Sequence, residues 1–370
     1  MNKKIAYVGL DVHKNSITIA LFVEQRKEEE WIKKIAHNKK TLLGLLKKLS
    51  EEYYLKVCYE ASGCGFTIYR KLNNHGIDCI VVAPSLIPTD SRKIKTDTID
   101  AKKLAVYLRS GLLTAISVPC EEQERDRDLI RFRVFQTNEF VRIQQAICAF
   151  LLRKGIDYSE YSSFTKKFME FIGTVELPID DRLMLNRLIR HYNYQNTLVG
   201  ELTDDIEKLS QTDRYREQCA FLCSFRGIQT LTAMTILTHI PDFRAFPHPS
   251  KLMSYIGLTS KENSSGDTVI RTGITKHGNS ILRKAIIMAA GQYNRAEHTG
   301  YRMITKREGL PSAIVSLSQR ADRRCKNKYY RLINRGKNSN VAKTAVAREL
   351  ISFIWEAMII YYQGELKEAV

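Results

Sequence analysis

The sequence predicts an α/β N-terminal domain followed by a mainly helical remainder, and three patterns carry that prediction. Through about Leu112, short β-branched runs alternate with apolar residues at helical spacing. From Glu121 to about Ser210, apolar residues step by three and four through long charged stretches. From Cys219 onward, short helical segments separated by glycines lead into a strongly basic region. A chain of 370 residues is long enough for two or three cores, and the expected division is 1–115, 116–215 and 216–370.

In the first region, Ile5 to Val12 and Ser16 to Val23 read as an antiparallel hairpin turned at His13-Lys14-Asn15, with Glu30 to Ala36 as a third strand. Leu42, Leu45, Leu46 and Leu49 recur at helical spacing, and Tyr54 to Tyr59 is the next strand. Gly63 and Gly65 make a turn, and Asp78 to Ala83 is a short apolar strand stopped by Pro84. A hairpin followed by β-α-β units fits a ribonuclease H-like sheet, whose first strand carries an acid.

The middle region carries a seam of Leu185, Leu188, Tyr192, Gln195, Val199, Leu202, Ile206 and Leu209, matched by Phe140, Ile143, Ile147 and Phe150. An antiparallel coiled-coil hairpin is expected, with Pro178 in its connection. An ordinary intramolecular pair and a dimerisation arm fit that seam equally. Farther on, Leu222 to Ile240 reads as helix, turn, helix around Gly227. Hairpins that grip a phosphate backbone are similar, but Gln229 stands where they have a second glycine, so a packing unit is the expectation. Leu252 to Leu258 follows as an apolar segment, then a polar loop from Thr259 to Thr275, then a helix from about Ser280 to Arg295 introduced by Gly278-Asn279.

Charge narrows the partner. The chain carries 58 Lys and Arg against 40 Asp and Glu, a net +18, which favours a polyanion, with nucleic acid ahead of an acidic membrane surface. Within Arg302 to Arg348 there are thirteen Lys or Arg and two acids, Glu308 and Asp322, with Tyr329 and Tyr330 interleaved. That mixture suits phosphate neutralisation with base stacking. No stretch approaches the length of a membrane span, and Ile351 to Tyr362, interrupted by Glu356, reads as a packing helix. With no signal-peptide pattern, a cytoplasmic, nucleoid-associated location is expected. The eight cysteines form no C-x-x-C pair, so Cys58, Cys79 and Cys148 read as packing residues and no zinc site is expected.

Four carboxylates stand out. Asp11 closes the first apolar run, Glu60 closes the run from Tyr54, and Asp97 and Asp100 sit three apart at the start of a predicted helix, hence on one side of it. Taken singly, each is a cap or a surface charge, Asp97 being flanked by Thr96 and Thr98. Taken as a set at strand ends and a helix start, they suit hard divalent cations, which two-metal phosphodiester chemistry places at the attacking and leaving oxygens.

Six motifs resemble those of one family. They are Y-V-G-L-D-V-H-K from Tyr7, Y-E-A-S-G-C-G from Tyr59 and K-T-D-T-I-D-A-K-K-L-A from Lys95, then F-R-G-I-Q-T-L-T-A from Phe225, Y-I-G-L-T-S-K-E-N-S-S-G from Tyr255 and K-H-G-N-S-I-L-R from Lys276. The likeness is to insertion-sequence family 110, the DEDD transposases that act as bridge-RNA-guided recombinases, and it covers most of the chain in the family's domain order.

The resemblance implies a RuvC-like ribonuclease H domain in which Asp11, Glu60, Asp97 and Asp100 bind two Mg²⁺ ions. It also implies a C-terminal transposase domain with a serine nucleophile, which falls at Ser265, directly before the glycine, with Ser264 as the neighbouring alternative. The implied activity is excision and insertion of a mobile element in double-stranded DNA, both sites being chosen by an element-encoded guide RNA. The implied assembly is a homo-oligomer, a dimer or tetramer, in which the metal site of one protomer meets the serine of another. A metal-dependent endonuclease of the Holliday-junction class is the alternative; it needs the acids and no serine.

Overall fold

The structure is a computed structural model that describes residues 3–24, 29, 31–84, 87–88, 96–265, 268–295 and 300–368. The chain divides into two compact units, Met1–Val118 and Pro119–Val370. In the first, β1 (Lys4–Val12), β2 (Ser16–Val23) and β3 (Trp31–Ala36) precede α1 (Lys39–Glu52), β4 (Tyr53–Glu60), α2 (Thr67–Asn73), β5 (Asp78–Val82) and α3 (Asp97–Arg109). The strands form one sheet in the order β3-β2-β1-β4-β5, antiparallel from β3 to β1 and parallel from β1 to β5.

Strand alternation gives this sheet two different faces. Val8, Leu10, Ile17, Ile19, Val57 and Tyr59 point to the side covered by α1 and α2, where Leu42, Leu46, Ile68 and Leu72 complete the core. Each fully buried leucine there contributes roughly 2 kcal/mol. Helix α1 starts where the Asn38 side chain accepts hydrogen bonds from the Lys40 and Thr41 amides. The opposite face is lined by small residues. Ala20 meets Ala101 and Ala105 of α3, and the Cys58 thiol donates to the Leu104 carbonyl. Gly9 is the closest point: a Cβ there would lie 2.2 Å from the Ala101 carbonyl oxygen and 2.6 Å from the Ala105 nitrogen.

The second unit begins with α4 (Glu121–Arg153), α5 (Lys166–Thr174) and α6 (Ile179–Ser210). Helices α4 and α6 run antiparallel: Arg133 near the start of α4 donates to Thr203 near the end of α6, while Ile147 and Phe150 share a cluster with Leu185. Helix α5 adds Phe168 and Ile172 to that cluster, so the connection has a core of its own. Pro178 directly precedes α6 as its N-cap.

Then come α7 (Arg216–Cys223), α8 (Thr230–His239), α9 (Pro249–Ile256), β6 (Ser260–Ser265), β7 (Thr268–Ile274), α10 (Ser280–Ala290), α11 (Tyr301–Thr305), α12 (Ser312–Asn334) and α13 (Ser339–Glu368). They enclose one large core, and Ile351, Phe353, Ile354, Ala357 and Met358 of α13 are buried in it. No helix of the described residues is long and apolar enough to cross a membrane. The helix expected from Ser280 stops at Ala290 and passes into a 3-10 turn, Gly291–Arg295, with Asn279 as its cap.

One expectation is corrected. The stretch from Thr259 to Thr275 is not a loop: Ser260 to Ser265 pairs antiparallel with Thr268 to Ile274. Its polar composition hides it, but Thr268, Val269, Ile270, Thr272 and Ile274 have strand-forming side chains, and only Gly266-Asp267 separates the two runs. The base of the ribbon is a backbone crossing. A Cβ on Gly257 would lie 1.8 Å from the His277 oxygen, and one on Gly278 would lie 2.0 Å from the Tyr255 oxygen. Arg283 Nη1 donates to the Ile256 carbonyl across it at 3.0 Å.

The contact at Gly9 generates a prediction. Gly9→Ala drives a methyl group into the α3 backbone and is expected to cost about 1–3 kcal/mol. Chemical denaturation measures the loss, and hydrogen exchange is expected to place it in α3 and β1.

Candidate active site

The acidic centre is built on one row of the sheet. Lys34 pairs with Thr18, and Thr18 pairs with Asp11. The β1–β4 register reaches Leu10 and Tyr59, so Asp11 and Glu60 are the next residues of two parallel strands, and Glu60 pairs with Val82. Parity puts this row on the same face as Gly9 and Cys58, the face that α3 covers. Helix α3 begins there. Thr96 is its cap, accepting from the Ile99 amide at 3.3 Å, which leaves Asp97 and Asp100 in the first turn. Negative charge in that turn also suits the helix dipole.

Around Asp11 the geometry is tight. His13 Nε2 lies 3.1 Å from Asp11 Oδ2 and 3.5 Å from Asp97 Oδ1, and Lys34 Nζ lies 2.7 Å from Asp97 Oδ2. The two carboxylates are driven in opposite directions. Burial holds the Asp11 carboxyl above its ordinary range, and the charges of Asp97 and Asp100 push the same way, against the pull of His13. The hydrogen bond from Lys34 instead holds Asp97 below its ordinary range. Burial and the Lys34 hydrogen bond together make the split, Asp11 being the less exposed of the two: 18% of its side chain is exposed and 39% of that of Asp97.

These residues fit a divalent cation. One ligand atom from each of Asp11, His13 and Asp97 can be chosen so that all three lie within 4.8 Å of one another, the only such cluster among the described residues. A cation there offsets both the burial and the repulsion that raise Asp11. Of the four acids named from the sequence, Asp97 and Asp100 thus both act electrostatically on Asp11. Glu60 shares their sheet face by register. Ser265 belongs to the second unit, where its backbone pairs with Thr268 as the last pair of β6 with β7.

Sequence reasoning missed His13 and Lys34 as members of this centre. His13 had a legible signal, since it stands two residues after an acid at a strand end, but it was read only as a hairpin turn. Lys34 had none, because its partner lies 63 positions away.

The basic region differs from its expectation. Tyr329 is buried in the core, so its ring is no platform for base stacking, and Tyr330 is half-buried with its hydroxyl donating to the Asn294 carbonyl at 2.8 Å. Acids do balance part of the charge: Glu349 takes Arg324 and Lys328, Glu356 takes Arg320, and Asp322 takes Arg307. Glu349 and Glu356 lie on α13, beyond the stretch in which acids were counted. The helix-turn-helix at Gly227 is a packing element, and Gln229 Oε1 accepts from Lys306 Nζ at 2.8 Å.

Comparison with known proteins decides the family. A DEDD-type transposase family model of insertion sequence IS110 matches residues 8–155, and the model described as the transposase IS116/IS110/IS902 family matches residues 219–304. The chain is 32% identical over 358 residues to a putative transposase, y4qE, of Sinorhizobium fredii, covering 95% of this chain and 87% of that protein. It is 31% identical to the transposase for insertion sequence element IS1533 of Leptospira borgpetersenii, covering 89% and 97%. This chain belongs to the IS110 family of transposases. It is therefore an enzyme, a transposase that recombines DNA, and family membership implies use of a divalent metal.

For this transposase the Lys34–Asp97 contact makes a direct prediction. In Lys34→Met, the Asp97 carboxyl is expected to titrate at higher pH than in the parent. Carboxyl NMR on metal-free protein measures it; an unchanged Asp97 titration would remove Lys34 from the centre.

Proposed function

We propose that this transposase excises and inserts its element by breaking DNA with a serine and rejoining it without hydrolysis. In this reading the first unit is a RuvC-like ribonuclease H domain, and Asp11, Glu60, Asp97 and Asp100 hold two Mg²⁺ ions. The observation that carries it is the shared placement of Asp11 and Glu60 on the sheet face where the first turn of α3 presents Asp97 and Asp100. When bound, the ions supply charge stabilisation at the attacking and leaving oxygens.

Ser265, with Ser264 as the alternative, is the proposed nucleophile. Its Oγ forms a bond to phosphorus as the bond to a DNA 3′ oxygen breaks, and that oxygen leaves as a hydroxyl. Another 3′ hydroxyl then attacks the phosphoserine, which restores the phosphodiester and releases the serine. The bond energy is conserved, so no ATP is needed. A free hydroxyl is a weak nucleophile and requires a base or metal to activate it.

The reading extends to the assembly. An element-encoded bridge RNA selects both DNA sites while the protein reads backbone shape and charge, a division of labour known from other RNA-guided enzymes. The α4–α6 pair serves as a coiled-coil arm joining a dimer or tetramer, and the exposed Arg323, Arg331 and Arg335 of the α12 region supply phosphate contacts. The expected location is the nucleoid.

Two measurements test this. Ser265→Ala is expected to abolish the covalent protein–DNA adduct and lower strand exchange to below about a thousandth of the parent, while Ser264→Ala retains both. Loss only in Ser264→Ala moves the role by one residue, and unchanged exchange in both removes the serine. Asp11→Asn and Asp100→Asn are expected to stop cleavage; cleavage that survives in Ser265→Ala as simple hydrolysis favours the junction-endonuclease alternative. Separately, Arg331→Ala is expected to lessen the salt dependence of DNA affinity by about one unit of log–log slope.

A further inference from the structure

The acidic centre contains a nitrogen donor that a purely carboxylate site does not need. His13 Nε2 faces Asp11 Oδ2 and Asp97 Oδ1 at once, at 3.1 and 3.5 Å. A single ring N–H serves two carboxylates only as a divided hydrogen bond, whereas an ion between them engages all three atoms through lone pairs. The separations suit that arrangement, because ligand atoms each about 2.0–2.2 Å from one ion lie about 3 Å from one another.

The main chain of His13 is also held in place. The His13 amide donates to the Ser16 carbonyl at 2.9 Å, and the His13 carbonyl lies 2.6 Å from His37 Nδ1. The His37 amide in turn donates to the Asn15 carbonyl at 3.0 Å. Both main-chain groups of His13 are thereby engaged, so the tight turn after β1 aims its ring back along the strand to Asp11. On the far side Lys34 occupies Asp97 Oδ2 and leaves Oδ1 toward His13.

We propose that His13 is a ligand of the divalent metal held by Asp11 and Asp97, and that it shifts the site toward Mn²⁺ over Mg²⁺. The inference rests on the acids binding metal, and it concerns which ion and through which atom. Mg²⁺ is a hard ion that takes oxygen ligands and keeps its waters, while an imidazole nitrogen favours first-row transition ions over Mg²⁺, and among them Mn²⁺ also suits carboxylates. One nitrogen among several oxygens therefore gives selectivity without excluding Mg²⁺.

The test uses the full chain and Mn²⁺ as the probe. Pulsed EPR of bound Mn²⁺ is expected to show nitrogen modulation in the parent and none in His13→Ala, and calorimetry is expected to show Mn²⁺ affinity falling about tenfold or more in that variant, with Mg²⁺ affinity falling much less. His13→Gln, which keeps a polar side chain, is expected to lose the modulation as well. If Mn²⁺ binds the parent and is lost in Asp11→Asn, yet shows no nitrogen modulation, His13 is not a ligand and the acid site stands. If Mn²⁺ fails to bind, or binds equally well in Asp11→Asn, the metal-site reading falls and this inference falls with it. The spectrum of the parent decides ligation even if a variant folds poorly.

Discussion

The distance between α3 and β1 governs everything in the acidic centre. With a hydrogen at Gly9 and methyl groups at Ala20, Ala101 and Ala105, the helix backbone settles directly onto the strand. A helix packed over ordinary side chains stands about 10 Å from a sheet, too far for a short aspartate in its first turn to approach one at a strand end. Here the close seat brings Asp97 within reach of His13, and the charges of Asp97 and Asp100 are felt at Asp11. The packing of small residues and the convergence of acids are thus one feature viewed at two points along the same helix.

Convergence of acids is unfavourable by itself, and the surrounding groups show how it is tolerated. Asp11 is the more buried and bears the penalty, which raises its affinity for a proton. Asp97 is relieved by Lys34, which reaches it from β3 across the row that also holds Thr18. The two carboxylates therefore differ in proton affinity although they share a histidine. Such divergence in neighbouring acids marks a site shaped for charge chemistry more than for stability.

The sequence made some of this legible, for physical reasons that differ from element to element. The strands β1, β2, β4 and β5 are visible because burial on one or both faces leaves long β-branched runs, and Asp11 and Glu60 stand where two such runs end. Asp97 with Asp100 on one side follows from helical spacing, while the cap, expected at Asp97, falls one residue earlier at Thr96. The β6–β7 ribbon was illegible as a strand pair because the run Ser260, Lys261, Glu262, Asn263 is polar throughout and carries no apolar alternation. Tyr329 and Tyr330 were misread because adjacent basic residues suggest one surface, whereas the helical turn sends Tyr329 to the core. Counting acids along the chain likewise overlooked Glu349 and Glu356, which reach α12 from a neighbouring helix. Lys34 and His13 show the same limit: charge partners are set by the sheet, and sequence separation conceals them.

The second unit holds its ribbon by a different device. A two-stranded ribbon is marginal alone, since it has no third strand and little apolar surface. Its order comes from the base, where Gly257 and Gly278 let two backbone segments cross in contact and Arg283 ties the crossing to the end of α9. Arg348 of α13 adds a weak contact to Ser260 at 3.5 Å. Main-chain pairing then carries position from that base to Ser265, the last paired residue of β6. Any side chain larger than hydrogen at either glycine would disturb the ribbon without touching the serine. The two glycines are therefore constrained by the backbone that crosses them, just as Gly9 is constrained by the backbone of α3.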